Sequence, residues 1–211
     1  MSLQNKTKPY SLIFDFDGVI ADTYDIYIDF LVKKMKLSRK YATRKFQYTS
    51  TELSTEPSNW FWKLGSMWYY YRFYRYVRQQ SQHQNLLFPN VLDHINSFAG
   101  PKAILTLAET RVCEVILKDT IEIFDCVIGR NDASYKPNGF HMIMETSEFQ
   151  NTHPIFITDT VADIRNMLTI LPKNQIFAVD WGFNDRDILE QYLEPDQIIR
   201  NDLSQFMNTF S

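Results

Sequence analysis

Five short apolar runs punctuate the chain: Leu12 to Phe14, Ala103 to Leu105, Cys126 to Ile128, Ile155 to Ile157 and Ile176 to Val179. None alternates with polar residues, which is the pattern of a strand covered on both faces. From the second run onward they alternate with apolar positions at helical spacing. Val91, Leu92, Ile95 and Phe98 form a stripe leading into the second run, and further helices are predicted from Arg111 to Lys118, Phe140 to Phe149 and Val161 to Leu171. Strand and helix in alternation predict an α/β fold, a doubly wound parallel sheet.

About 80 residues separate the first run from the second, where a crossover needs only a dozen or so. The excess lacks strand-like alternation, carries helical periodicity from Tyr24 to Met35, and contains a tract from Trp60 to Val77 dense in Trp, Tyr and Phe. The predicted organisation is therefore a core domain of residues 1–21 and 89–211 with a small helical domain, 22–88, inserted after the first strand. The rings from Trp60 to Tyr76, interleaved with Arg72, Arg75 and Arg78, suit the interior of a small unit that needs much burial per residue. They also suit a substrate cavity in which an Arg meets an anion, or an interface.

With 45% apolar residues and 22% charge in 211 residues, the chain can bury such a core and still carry the insertion. A formal charge of −3 supplies no basic field for nucleic-acid binding, and the expected ligand is small. Cys113 and Cys126 form no Cys-x-x-Cys pattern and the four histidines are scattered, which argues against structural zinc. The apolar stretch near the N-terminus is interrupted by Asp15 and Asp17, so it does not read as a signal-peptide core. No run approaches the ~20 apolar residues of a membrane span, and a cytoplasmic setting is expected.

The candidate chemistry begins where the first run ends, in Phe14-Asp15-Phe16-Asp17-Gly18-Val19. A buried strand delivers both carboxylates to its carboxyl end, and the glycine lets the chain turn sharply and leaves room for an anion. Asp-x-Asp alone is a cheap signal, since it recurs at Asp185-Arg186-Asp187. Three polar stations follow in order: Thr106 after the second run, Lys136 in Lys136-Pro137-Asn138-Gly139, and Asp159 with Asp163 after the fourth. Each by itself has an ordinary structural explanation, as a strand-end Thr, a turn Lys or a helix-start acid.

Together, in that order, these stations resemble the haloacid dehalogenase superfamily, and specifically its phosphatase-like members with a helical cap between the first and second motifs. The resemblance runs from Ser11 to about Phe206 and is weak in detail within the cap. It implies that Asp15 is a nucleophile toward phosphorus, that Asp17 is the general acid and base, and that Thr106 and Lys136 hold the transferring phosphoryl group. It also implies a magnesium ion held by Asp15, the Asp17 carbonyl and Asp159, with Asp163 supporting its water shell. Three positions depart from the usual pattern: Thr158 stands where a Gly is common, Leu107-Ala108 follows Thr106, and Gly139 replaces a second Pro. The segment Val179-Asp180-Trp181-Gly182-Phe183 resembles the loop after the fifth strand in these phosphatases, with no chemistry assigned to it.

The expected activity is hydrolysis of small phosphate monoesters by a monomer or homodimer. A phosphomutase would keep the same aspartates. A non-catalytic module binding phosphate or a partner would keep the pocket and not turn over, and a dehalogenase would have little use for Asp17 or Asp159.

Overall fold

The computed structural model describes residues 8–43, 60–200 and 202–210, and of residues 60–70 and 210 the backbone alone. Among the described residues six strands form one sheet: β1 (Tyr10–Phe14), β2 (Lys102–Leu105), β3 (Cys126–Ile128), β4 (His153–Thr158), β5 (Ile176–Val179) and β6 (Ile198–Ile199). Their order is β3-β2-β1-β4-β5-β6, and every pairing is parallel. β1 thus lies centrally, with Phe14 opposite Ile104 of β2 on one side and Ile157 of β4 on the other.

The uninterrupted apolar runs have a direct cause in this architecture. Leu12, Phe14, Ile104, Ile155 and Ile157 point into one buried cluster, while Ile13, Ala103, Leu105 and Phe156 point into another on the opposite face. Helices α5 (Lys136–Met144), α6 (Val161–Met167) and α7 (Arg186–Leu189) contribute side chains to the second cluster. The first is covered by α3 (Val91–Ser97), α4 (Thr110–Leu117) and α8 (Ser204–Phe210), together with the inserted helices α1 (Tyr24–Lys33) and α2 (Trp60–Ser81).

Several elements differ from the sequence reading. β6 is too short to leave a hydrophobic pattern. Its approach is fixed by a capping box between Glu194 and Gln197, whose amide also donates to the carbonyls of Lys173 and Ile176 at 2.6 and 2.8 Å. Helix α5 begins at Lys136, four residues earlier than predicted, because Pro137 in the first turn has no amide hydrogen to leave unpaired. Gly139 inside that helix permits close packing on β2, since a Cβ there would lie 2.6 Å from Leu105 Cδ1. Helix α5 ends at Met144, and α6 ends at Met167, where turns and then Pro172 follow.

The chain leaves β1 through Ile20 to Asp22 and returns through Leu86 to Phe88, and these two segments pair with each other. The Asp22 amide donates to the Leu86 carbonyl at 2.7 Å, and the Phe88 amide to the Ile20 carbonyl at 3.1 Å. Beyond them α1 packs on α2, with Phe30 meeting the rings of Phe73 and Tyr76 at 5.3 and 5.8 Å. Phe73, Tyr76 and Val77 are buried, whereas Tyr71 is 56% exposed. That end of the aromatic tract is interior, continuous with the core on the same face of the sheet. Trp60, Phe61, Trp62, Trp68 and Tyr70 lie outside the described side chains.

Candidate active site

Because β1 sits between β2 and β4, the residues that follow Phe14, Leu105 and Thr158 emerge side by side at the carboxyl ends of the strands, where open parallel sheets bind ligands. The Asp15 amide continues the ladder by donating to Ile157 at 2.8 Å, so the first residue of the loop is held as firmly as the strand. Asp15 Oδ1 accepts the Phe16 amide at 2.7 Å. The turn then closes through Gly18, whose φ of +77° falls in the left-handed region open to glycine.

Lys136 reaches this rim from the first turn of α5 and is only 2% exposed. Its Nζ lies 2.8 Å from Asp15 Oδ2 and 2.5 Å from Asp163 Oδ2. The Thr158 hydroxyl donates to the same Asp163 oxygen at 3.0 Å. Asp163 itself is held at the start of α6, its amide directed to the Thr160 hydroxyl that caps the helix. Asp163, expected from the resemblance to support a water shell, thus directs one carboxylate oxygen to Lys136 and Thr158 and anchors the lysine beside Asp15.

Asp159 is fully buried between two glycines. A Cβ on Gly18 would come within 1.9 Å of its Oδ2, and one on Gly182 within 2.2 Å of its Cβ. Oδ2 accepts the Phe183 amide at 2.7 Å, and among the described residues Oδ1 has no hydrogen-bond partner. Asp17 turns its Oδ1 to the Thr23 hydroxyl at 2.6 Å, at the entry to α1. Thr106 is buried at the end of β2 and accepts the Ala108 amide at 3.0 Å. Among the described residues no hydrogen bond joins Thr106 to Asp15, so the structure links Asp15, Lys136 and Asp163 directly and leaves Thr106 as a neighbour on the rim.

The electrostatics follow from three buried carboxylates, Asp15, Asp159 and Asp163, and the half-buried Asp17 gathered around one ammonium. Burial pushes the Asp15 carboxyl well up, Lys136 pulls it back, and the charges of Asp163 and Asp159 raise it further. Burial likewise raises Asp17, opposed by the Thr23 hydrogen bond. Asp159 is raised to about 8 by burial, against the pull of the Phe183 amide. For Asp163 burial is outweighed by Lys136 and its hydrogen bonds, and the carboxyl is held below its ordinary value. Burial would lower the lysine, but Asp15 and Asp163 raise it above the usual range.

This donor set fits a hard divalent cation. Asp159 carries a buried oxygen without a partner, and burial keeps both Asp15 and Asp159 inclined to hold protons that a cation would replace. Among the described residues no three carboxylates, imidazoles or thiols converge to enclose an ion by themselves.

Thr23 and Asn184 carry no signal in the sequence that marks them, and Thr158 stands out there only as a departure from the usual pattern. Asn184 donates its amide to the Asp159 carbonyl at 3.3 Å and accepts the Val161 amide on its side chain at 2.8 Å. The sequence signal for this loop is the Trp181-Gly182-Phe183 segment, whose contact with Asp159 depends on how β4 and β5 lie together.

The sequence profile described as haloacid dehalogenase-like hydrolase matches residues 12–167. No curated protein matches the chain in sequence. Among solved structures, a haloacid dehalogenase-like family protein, SP0104 from Streptococcus pneumoniae, superposes with a TM-score of 0.68 at 19% identity, covering 96% of this chain and 99% of that one. CbbY from Rhodobacter sphaeroides, solved as a mutant with xylulose-(1,5)bisphosphate, gives 0.63 at 13% identity, with coverage of 90% and 92%. The HAD-hydrolase YfnB from Bacillus subtilis, solved bound to magnesium, gives 0.62 at 13% identity, with coverage of 97% and 100%.

Proposed function

The chain belongs to the haloacid dehalogenase-like hydrolase family, and we propose that it hydrolyses small phosphate monoesters with Asp15 as the nucleophile. The observation that carries this reading is the bridge from Lys136 to both Asp15 and Asp163, which holds an ammonium beside a carboxylate at the ligand-binding rim.

In the first half-reaction an Asp15 carboxylate oxygen bonds to phosphorus and the phosphorus–ester oxygen bond breaks. The leaving oxygen takes a proton from Asp17, whose raised carboxyl pKa keeps that proton available. In the second half, Asp17 takes a proton from water as the water oxygen attacks phosphorus, and the bond to Asp15 breaks. Lys136 offsets charge on the nucleophile and on the phosphoryl oxygens throughout, and Asp163 with Thr158 holds it there. Thr106 has a hydroxyl proton to offer a phosphoryl oxygen. Asp15, the Asp17 carbonyl and Asp159 would hold magnesium, which supplies the positive charge that lets a phosphate dianion approach a carboxylate. Residues 22–88, joined to the core by the paired segments at Ile20–Asp22 and Leu86–Phe88, would act as the cap that limits access to small substrates.

The test is release of inorganic phosphate from an aryl phosphate, and then from a panel of metabolite phosphates, in the presence of magnesium. The unaltered protein is expected to turn over and Asp15→Asn is not. Beryllium fluoride with magnesium is expected to raise the melting temperature of the unaltered protein alone. Equal turnover by both proteins would reject Asp15 as the nucleophile.

A further inference from the structure

The loop after β5 touches the site and the connection to the inserted helices at once. On one side Gly182 packs against Asp159 so closely that a Cβ would lie 2.5 Å from Oδ2, and the Phe183 amide donates to that oxygen at 2.7 Å. On the other side the Trp181 indole N–H reaches the Val19 carbonyl at 3.4 Å, and its ring meets Phe88 edge-on with centroids 6.3 Å apart. Val19 precedes the outgoing connecting segment and Phe88 ends the returning one, so one indole spans both. Phe183 also meets Tyr24, the first residue of α1, at 5.9 Å.

We propose that Trp181 is a positioning residue that couples the paired connecting segments, Ile20–Asp22 and Leu86–Phe88, to the carboxylate of Asp159. The proposal rests on the reading of Asp159 as a cation-holding residue. Rotation of the inserted helices about these segments must either drag Trp181 and Phe183 along or break their contacts, and the adjacent amide that orients Asp159 moves with them. Coupling of this kind is reciprocal: whatever fixes Asp159 must also steady the connection, and whatever steadies the connection must favour the oriented carboxylate. Among the described residues the hydrogen bond and the ring contact of the indole go to Val19 and Phe88 and not to Asp15, Asp17 or Lys136, so its part is one of position and not of chemistry.

The experiment follows amide hydrogen exchange in the peptides spanning residues 16–24 and 84–90 of the full chain, with magnesium chloride or with EDTA. Magnesium binding is measured separately by calorimetry. In the unaltered protein magnesium is expected to slow exchange at Asp22 and Phe88 by about fivefold or more. In Trp181→Leu magnesium is expected still to bind while that slowing is lost. Trp181→Phe retains a ring against Phe88 but not the indole N–H, and is expected to show reduced slowing, which keeps the test open should the leucine variant fail to fold. Slowing in every variant that folds equal to that in the unaltered protein overturns the proposal, as does magnesium binding to the unaltered protein without any slowing. Absence of magnesium binding to the unaltered protein overturns instead the reading of the cation site.

Discussion

Asp159→Asn is expected to flatten the dependence of stability on pH and to abolish most stabilisation by magnesium. In the folded protein this carboxyl is raised from 3.8 to about 8 by burial, held back by the Phe183 amide and reinforced by Asp163. In the unfolded chain it ionises above about pH 4. Between those values the folded state binds more protons than the unfolded one, so without a cation stability falls as pH rises through the window. At about 1.4 kcal/mol per tenfold change in the proton equilibrium, the ceiling on this loss is about 6 kcal/mol. A third of it would move the melting temperature of a chain this size by roughly 4–8 °C. Asp15 and Asp17, also raised by burial, act in the same direction. Asp163 is lowered and Lys136 is raised, so their protonation changes lie below and above the window. The assay is thermal unfolding from pH 5 to 8 in EDTA and in saturating magnesium. The unaltered protein should lose melting temperature toward pH 8 in EDTA and recover it with magnesium, whereas the Asn variant should show a shallower slope and little response. Equal slopes in the two proteins, or an equal magnesium response, would refute the assignment.

Lys136→Met should abolish turnover and destabilise the protein at pH 7.5 by about 3–5 kcal/mol in urea titrations, because Asp15 and Asp163 would be left buried without their shared cation. Thr158→Val should lower kcat by about tenfold with little change in KM, the scale of one hydrogen bond to a charged group, and Thr158→Ser should restore it. A valine variant as active as the unaltered protein would remove Thr158 from the chain that holds Lys136. Phe73→Ala should cost about 3–5 kcal/mol of stability by emptying the space between Tyr27 and Phe30, with the loss read from the shift in urea midpoint.

The α/β architecture, the five longer strands and the order of the polar stations are legible in the sequence, because a strand buried on both faces must be continuously apolar and its carboxyl end is marked by the polar residue that follows. Asp15, Thr106 and Asp159 each stand one residue beyond such a strand, so their arrival at one rim follows once the sheet is parallel with β1 between β2 and β4. What those side chains face was decided only by tertiary packing. Lys136 could be recognised as a lysine near the site, but its bridge to Asp15 and Asp163 depends on α5 starting at Lys136 and on Thr158 presenting its hydroxyl to the same oxygen. The seat of Asp159 is built from Gly18 and Gly182, more than 160 residues apart in the sequence. Local pattern specifies which backbone segments become buried strands, since that depends on each segment's own surface. The partners of a buried charge depend on which distant segments pack against it, and no local pattern encodes that.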